Sequence, residues 1–203
     1  MITIVTGLRR SGTSMAMQML HAGGLPCVHD AERIRPDEDN PRGYFEMGKQ
    51  DDGKQDGDQL QGVLLAEGKA IKRLLPSEIR CTHKLPAGPD YRIISMRRPM
   101  PEVVASWKRF YHRRKGINQD GKPLLYFEEP IRRSAKEIAK EFGVKPAQVL
   151  RVKYHDVIRD PKLAAAAMVE FLGVPLDVDA MAGAVDPSLY RNRLCQEEVE
   201  AAS

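Results

Sequence analysis

An octapeptide near the N-terminus combines two glycines, two arginines and three hydroxyl side chains. It reads GLRRSGTS, from Gly7 to Ser14, and fits the phosphate-loop pattern G-x-x-x-x-G-K-[ST] at every fixed position except one. Thr13 stands where that pattern has the lysine that reaches nucleotide phosphates. Arg9 and Arg10 come just before the second glycine, and a guanidinium group can hold a phosphate or sulfate through two parallel hydrogen bonds. The octapeptide therefore predicts an anion site in which arginine supplies the charge.

The residues on either side of the octapeptide predict a strand and a helix that position it. A β-branched run, Ile2 to Val5, comes before the first glycine, and apolar residues at helical spacing follow Thr13 until a glycine pair ends the pattern. A turn between a strand and a helix directs backbone N–H groups to one point, and the helix N-terminus adds about half a positive charge there. Backbone and side chains thus favour the same anionic ligand.

A second strand-and-helix unit ends its strand in arginine. The run Tyr91 to Met96 predicts a strand, Arg97 and Arg98 follow it, and apolar residues at helical spacing begin after Pro101. A magnesium-dependent phosphoryl transferase needs a carboxylate at such a strand end to hold the metal. The sequence instead predicts a ligand that is neutralised by guanidinium groups and needs no metal.

Strands and helices alternate along the rest of the chain. This alternation predicts a three-layer α/β/α fold with a mostly parallel central sheet. With 203 residues, of which 42% are hydrophobic, we expect one domain over residues 1–203. The remaining predicted elements are strands at Ala70 to Lys72 and Val149 to Val152, helices at Ile131 to Phe142 and Pro161 to Leu172, and a long loop from Cys27 to about Gln61.

The composition narrows the classes of function. Thirty-two Lys and Arg against twenty-eight Asp and Glu give a net charge of +4, which suits an anionic ligand but is too small to predict nucleic-acid binding. Three cysteines without metal or disulfide spacing predict idle thiols in a reducing compartment. Because a signal-peptide pattern and an apolar run of ~18 residues are both missing, we expect a cytoplasmic protein that does not bind membranes. The oligomeric state stays open.

Four stretches resemble the sulfotransferases that use 3′-phosphoadenosine-5′-phosphosulfate (PAPS). GLRRSGTSMAMQML resembles their 5′-phosphosulfate loop, whose core is [KR]-S-G-T-[TS]. In MRRPMPEVVASW, the spacing of Arg98 and Ser106 resembles the pair that holds the 3′-phosphate, with Arg97 as the alternative. DNPRGYFE, which ends at Glu46, and VKYHDVIRDPKLAAAAMVEFLGVP resemble further segments of bacterial members.

The resemblance implies a P-loop sulfotransferase fold, PAPS as co-substrate, and metal-free transfer of a sulfuryl group to a hydroxyl or an amine. The acceptor would be a small or carbohydrate-like molecule whose identity the sequence leaves open. Arg191 or Arg193, in a stretch that resembles one near the nucleotide in bacterial relatives, would close over the 3′-phosphate. The residues implied for the 5′ end of the nucleotide are Arg9, Arg10, Ser11, Gly12, Thr13 and Ser14.

The resemblance also implies catalytic residues, and it leaves the general base open. Arg10 would stabilise the leaving phosphate, and Lys72 in KRLLP aligns with a family lysine that assists it. The same alignment puts Leu74 where the histidine base of the cytosolic enzymes stands. Related enzymes use a glutamate, so Glu46 is the candidate base, with His83 in THKLP as the alternative.

Two other functions remain compatible with the octapeptide. One is a small-molecule or nucleotide kinase with a degenerate loop, which the missing lysine and the missing strand-end acid both disfavour. The other is a non-catalytic nucleotide-binding protein, which the missing histidine keeps open.

Overall fold

The computed structural model describes residues 1–29, 40–46, 63, 65–74, 85–115 and 134–191, with the backbone alone for 111–115. The strands in these ranges are β1 (Ile2–Gly7), β2 (Cys27–Val28), β3 (Ala70–Leu74), β4 (Tyr91–Arg97) and β5 (Val149–Lys153). They form one sheet in the order β2-β3-β1-β4-β5, and every neighbouring pair is parallel.

Helices follow or connect these strands, with short 3₁₀ turns at Pro146–Gln148 and Pro187–Leu189. Their ends carry ordinary stop and start signals: a Ser134–Glu137 capping box begins the helix Ala135–Phe142, and Pro161 begins the helix Pro161–Leu172. The helices in the described ranges are α1 (Thr13–Ala22), α2 (Met100–Lys115), α3 (Ala135–Phe142), α4 (Tyr154–Arg159), α5 (Pro161–Leu172) and α6 (Val178–Gly183).

The sheet is covered on both faces, which makes three layers. Helices α1, α5 and α6 pack on one face around Met17, Met168 and Ile94, and helices α2 and α3 pack on the other around Ile4 and Phe142. Strand β1 lies at the centre, and all six of its residues are buried, as expected for a parallel strand covered on both faces. Because β1, β3 and β4 are parallel, their carboxyl ends meet at one edge of the sheet, and α1 begins at that edge.

Most predicted elements are confirmed, and the differences concern short elements. The predicted α/β fold with a mostly parallel sheet is present, and α5 has the predicted bounds. The polar stretch from Cys27 begins with the two-residue strand β2, which is too short to give a periodic signal. Helices α4 and α6, six residues each, were missed for the same reason. Helix α3 begins at Ala135, and residues 131–133 lie outside the described ranges.

Among the helices that the structure describes, none has both the length and the apolar character needed to cross a bilayer.

Candidate functional site

The loop between β1 and α1 is shaped by its second glycine. Gly12 has a φ of 98°, a backbone conformation that favours glycine, and a Cβ at this position would lie 2.6 Å from Cδ2 of Tyr154. Backbone strain and this close approach both exclude a larger residue. The Ser11 hydroxyl donates to the Leu8 carbonyl oxygen at 2.7 Å and holds the turn closed. Arg10 is left-handed, with a φ of 71°, a strained conformation that often marks binding sites.

Arg10 joins this loop to helix α2. Its Nε donates to Oγ of Ser106 at 2.9 Å, and its guanidinium carbon lies 5.4 Å from the centre of the Phe110 ring. Ser106 is buried, with 3% of its surface exposed. A residue predicted for the 5′ end of a nucleotide thus contacts one predicted for the 3′-phosphate.

Lys72 reaches the same loop from the neighbouring strand β3. Its Nζ lies 3.0 Å from Oγ of Ser14, 2.9 Å from the carbonyl oxygen of Tyr44 and 2.9 Å from Oε1 of Glu46. Burial lowers the pKa of the Lys72 ammonium below its ordinary value, and the nearby Glu46 carboxylate opposes that effect. The charges of Arg9 and Arg10 lower it further. Two of the three residues predicted as catalytic, Lys72 and Glu46, therefore form one buried ion pair beside Ser14.

The segment that carries Glu46, residues 40–46, is bound to helix α1. Nε2 of Gln18 donates to the carbonyl oxygen of Gly43 at 3.2 Å and to Oδ1 of Asn40 at 3.3 Å. The Asn40 amide donates to the same carbonyl oxygen, and the Gly43 N–H donates back to the Asn40 carbonyl oxygen at 3.0 Å. Gln18 stands four residues after Ser14, so the face of α1 that meets Lys72 also holds this segment.

Phe45 anchors the same segment in the core. Its ring is buried, and its centroid lies 5.6 Å from the ring of His21 and 5.6 Å from the ring of His29. Its φ of 53° is left-handed, which is costly for an aromatic residue. This backbone turn directs the next side chain, that of Glu46, toward Lys72.

Arg98 follows β4 and is held on several sides. Its Nε donates to Oε2 of Glu102 at 2.7 Å, and Nη1 donates to the carbonyl oxygen of Arg10 at 3.2 Å. Its guanidinium carbon lies 4.4 Å from the ring centre of Tyr154 and 5.4 Å from that of Tyr190. The guanidinium group is thus held against the first loop in a set orientation.

Glu102 is the buried partner of Arg98. Its side chain has no exposed surface, and Oε1 accepts a hydrogen bond from the Tyr190 hydroxyl and lies 2.8 Å from Nε2 of His155. Burial alone would raise the pKa of this carboxyl. Hydrogen bonds from Tyr190 and Arg98, the Arg98 charge and the His155 contact outweigh burial, so the pKa lies below its ordinary value. Glu102 is therefore ionised near neutral pH.

Arg97, the alternative to Arg98, is the last residue of β4 and lies beside Lys153 of β5. Burial, and then the charge of Arg151, lower the pKa of its guanidinium. The hydrogen bond from this strand end to the Arg10 carbonyl oxygen comes from Arg98. The geometry thus favours Arg98 for a ligand held at the first loop.

Among the residues that it describes, the structure brings most of the predicted site residues to one place. His83 and Arg193 lie outside the described ranges, and Arg191 is exposed. Leu74 ends β3. The residues gathered around the first loop are Arg10, Ser14, Glu46, Lys72, Arg98 and Ser106.

Sequence reasoning missed several residues that shape this site. Glu102 stands four residues after Arg98, a spacing that could have indicated their ion pair. His155 and Tyr190 lie 53 and 88 residues from Glu102, and no local pattern links them to it.

The thiol and carboxylate side chains elsewhere in the described residues add little to the site. Burial raises the pKa of the Cys27 thiol to about 12, so the thiol stays protonated and is a poor nucleophile. Within the part of the chain that the structure describes, no three His, Cys, Asp or Glu side chains are grouped to hold a metal ion.

Comparisons with known proteins agree with this geometry. The sequence model of the Sulfotransferase family matches residues 82–178, the stretch that contains Arg98 and Ser106. No curated protein sequence matches the chain significantly.

Solved structures extend the likeness to nearly the whole chain. The sulfotransferase domain of the olefin synthase from Synechococcus PCC 7002 is 17% identical, with a TM-score of 0.56 over 98% of this chain and 82% of that domain. A sulfotransferase from Mycobacterium tuberculosis H37Rv is 17% identical, with a TM-score of 0.54 over 98% of this chain and 75% of its own. The sulfotransferase domain from the curacin biosynthetic pathway is 14% identical, with a TM-score of 0.50 over 95% of this chain and 91% of that domain. At such identities these structures show a shared fold. Together with the sequence match over residues 82–178, they confirm the resemblance of this chain to the sulfotransferase family.

Proposed function

We propose that this protein transfers a sulfuryl group from PAPS to a hydroxyl or an amine of a small-molecule or carbohydrate-like acceptor, without a metal ion. The observation that carries the proposal is the 2.9 Å contact between Arg10 and Ser106. This contact joins the first loop and the first half of α2 into one continuous surface. The loop suits a 5′ anion, and the helix suits a second anion. A nucleotide that carries phosphates on both its 3′ and 5′ carbons fits such a surface better than a linear triphosphate does.

The described residues supply the charges that such a donor needs. Arg10 and the N–H groups at the start of α1 would hold the 5′-phosphosulfate. Arg98, which contacts the Arg10 carbonyl oxygen, and Ser106 would hold the 3′-phosphate. Lys72 adds a positive charge beside Ser14, where a phosphate-loop enzyme places its magnesium ion.

The ion pair of Lys72 and Glu46 supports a role for Glu46 as the general base. Lys72 binds one carboxylate oxygen, Oε1, and so holds the carboxylate beside the first loop. Glu46 would take the proton of the acceptor as the acceptor atom bonds to sulfur. The electron pair of the broken sulfur–oxygen bond goes to the 5′-phosphate, whose growing charge Arg10 and the loop N–H groups stabilise.

Calorimetric titration tests the donor site directly. The wild type should bind adenosine 3′,5′-bisphosphate, the product left after transfer, more tightly than magnesium ATP. Arg98→Ala should weaken bisphosphate binding roughly tenfold or more, because a charge-assisted contact is lost. Arg159→Ala, which removes an arginine that is 77% exposed, is the matched control and should bind as the wild type does. Preferential binding of magnesium ATP would contradict the proposal and favour a kinase.

Turnover tests the proposed base. Glu46→Gln should lower sulfuryl transfer by about 10²–10⁴-fold and leave bisphosphate binding unchanged, because general-base catalysis is lost while the donor site is intact. Glu170→Gln, an exposed carboxylate on α5, is the control. Equal turnover of Glu46→Gln and the wild type would exclude Glu46. Tight bisphosphate binding by a wild type that neither transfers nor slowly releases sulfate would indicate a non-catalytic binding protein.

A further inference from the structure

Two polar side chains meet at one oxygen of Glu102. Oε1 accepts from the Tyr190 hydroxyl and lies 2.8 Å from Nε2 of His155, while the Tyr190 oxygen lies 2.9 Å from the same Nε2. The other oxygen, Oε2, accepts from Arg98. This group of four residues, the Glu102 network, joins the end of β4, α2, α4 and the C-terminal 3₁₀ turn.

The number of available protons decides the state of His155. The Tyr190 hydroxyl has one proton, which it donates to Glu102, and the ionised carboxylate has none. The 2.8 Å and 2.9 Å contacts of Nε2 are hydrogen bonds only if Nε2 carries a hydrogen. Nδ1 is then the position for a second proton. Because a quarter of the side chain is exposed, that proton can come from water without breaking any bond of the network.

Charge balance decides when the second proton is needed. In the structure, the Glu102 carboxylate already cancels the charge of Arg98. A 3′-phosphate bound to Arg98 would bring a charge of about −1.5 to −2 next to this buried carboxylate. Arg98 by itself cannot balance both anions.

Among the residues that the structure describes, several titratable or charged groups face His155. They are Glu102 from α2, Tyr190 from the C-terminal turn and Tyr154 from its own helix, with Arg98 and Arg10 placed where their charges act on the Tyr154 ring. Among these side-chain types, imidazole is the one that ordinarily gains a proton near neutral pH. A proton on His155 would cancel the Glu102 charge and leave the Arg98 charge for the phosphate.

We propose that His155 is a positioning residue of the donor site, which takes up a proton from solvent at Nδ1 when a 3′-phosphate binds to Arg98. The inference rests on the proposed function, because that function places the phosphate at Arg98. Neutral imidazole plus one proton gives imidazolium, with Glu102 ionised throughout. The network then selects nucleotides that carry a 3′-phosphate over those that do not.

Calorimetry in two buffers of different ionisation enthalpy measures the proton directly. At about pH 7.5, the wild-type chain should take up a fraction of a proton with adenosine 3′,5′-bisphosphate and none with adenosine 5′-monophosphate, which lacks the 3′-phosphate. Ionisation of the phosphate itself on binding would release protons to the buffer, whereas protonation of a protein group takes protons up. Net uptake therefore reports a protein group.

Two substitutions assign that group. His155→Gln keeps an N–H donor for Glu102 but cannot gain a charge. It should abolish the uptake and weaken bisphosphate binding by roughly three- to tenfold near neutral pH, with monophosphate binding unchanged. His155→Lys carries a permanent charge, so it should keep tight bisphosphate binding without uptake. Asp156→Asn, the adjacent position on α4, is the control and should take up the proton as the wild type does.

The outcomes separate this inference from the function on which it rests. Bisphosphate binding without proton uptake in the wild type, or equal uptake in His155→Gln, would overturn the inference and leave the proposed function standing. A wild type that does not prefer the bisphosphate to the monophosphate would overturn the proposed function, and the inference with it.

Discussion

Nζ of Lys72 and Oε1 of Glu46 lie 2.9 Å apart in an ion pair that is almost completely buried, with 2% and 12% of the two side chains exposed. The pair closes the segment 40–46 onto β3. It also brings a positive charge to Ser14 of the first loop. One contact thus connects the stability of the fold to the placement of the proposed base.

Breaking this pair from one side should destabilise the protein. Lys72→Met leaves Glu46 without its partner, and we expect a loss of about 3–5 kcal/mol in the free energy of unfolding, measured by urea denaturation. The double variant Lys72→Met/Glu46→Gln should lose less than the sum of the single variants, because no uncompensated charge remains. The exposed pair Lys162–Asp179 is the control, and Lys162→Met should leave the stability nearly unchanged. Additive losses at Lys72 and Glu46 would show that the two residues act independently.

The contact of Arg10 and Ser106 should matter for binding more than for folding. Ser106→Ala removes one hydrogen bond, so the free energy of unfolding should fall by only about 1 kcal/mol. Bisphosphate affinity should fall further, on the order of tenfold, because Arg10 loses its anchor and the 3′-phosphate loses a donor. Calorimetry and urea denaturation of the same variant measure the two effects. Ser188→Ala, at an exposed turn, should change neither, and equal affinities of Ser106→Ala and the wild type would contradict the assignment.

Gly12→Ala should disrupt the first loop for two reasons. The φ of 98° strains any larger residue, and the new Cβ would lie 2.6 Å from the Tyr154 ring, so we expect a loss of roughly 2–4 kcal/mol in stability and no bisphosphate binding. Gly68→Ala is the control. It has a φ of 70° but open space around the new Cβ, so it should cost only about 1 kcal/mol and leave binding intact. Thermal unfolding and calorimetry compare the two, and equal behaviour would mean that the Tyr154 contact is unimportant.

Glu102 should make the stability of the protein depend on pH in the acid range. Its pKa in the folded state lies below the ordinary value of 4.5, so its contribution is complete above about pH 4.5 and is lost as the pH falls through the folded-state pKa. Glu102→Gln should therefore lower the urea midpoint at neutral pH and flatten its decline below pH 4.5. Glu170→Gln should keep the wild-type slope, because that carboxylate is exposed. An unchanged slope in Glu102→Gln would mean that other carboxyls govern acid unfolding.

The sequence by itself was sufficient to predict the strands, turns and helices that have strong local signals. Ile2–Gly7 begins with a β-branched run, Gly7 and Gly12 mark the turn region that follows, and Pro161–Leu172 begins at a proline and is followed by Gly173. These signals predicted the parallel sheet and the loop that faces the anion site. They are readable because each depends on residues close together in the chain.

The tertiary structure decided which side chains meet at that loop. Arg10 and Ser106 are 96 residues apart, Lys72 and Glu46 are 26 apart, and Glu102 and Tyr190 are 88 apart. Parallel strands bring their carboxyl ends to one edge whatever lies between them, so such contacts depend on strand order, on the face each side chain occupies, and on where the connecting segments dock. No periodicity records these relations, and for that reason His155 and Tyr190 became visible as partners of Glu102 only in the folded chain.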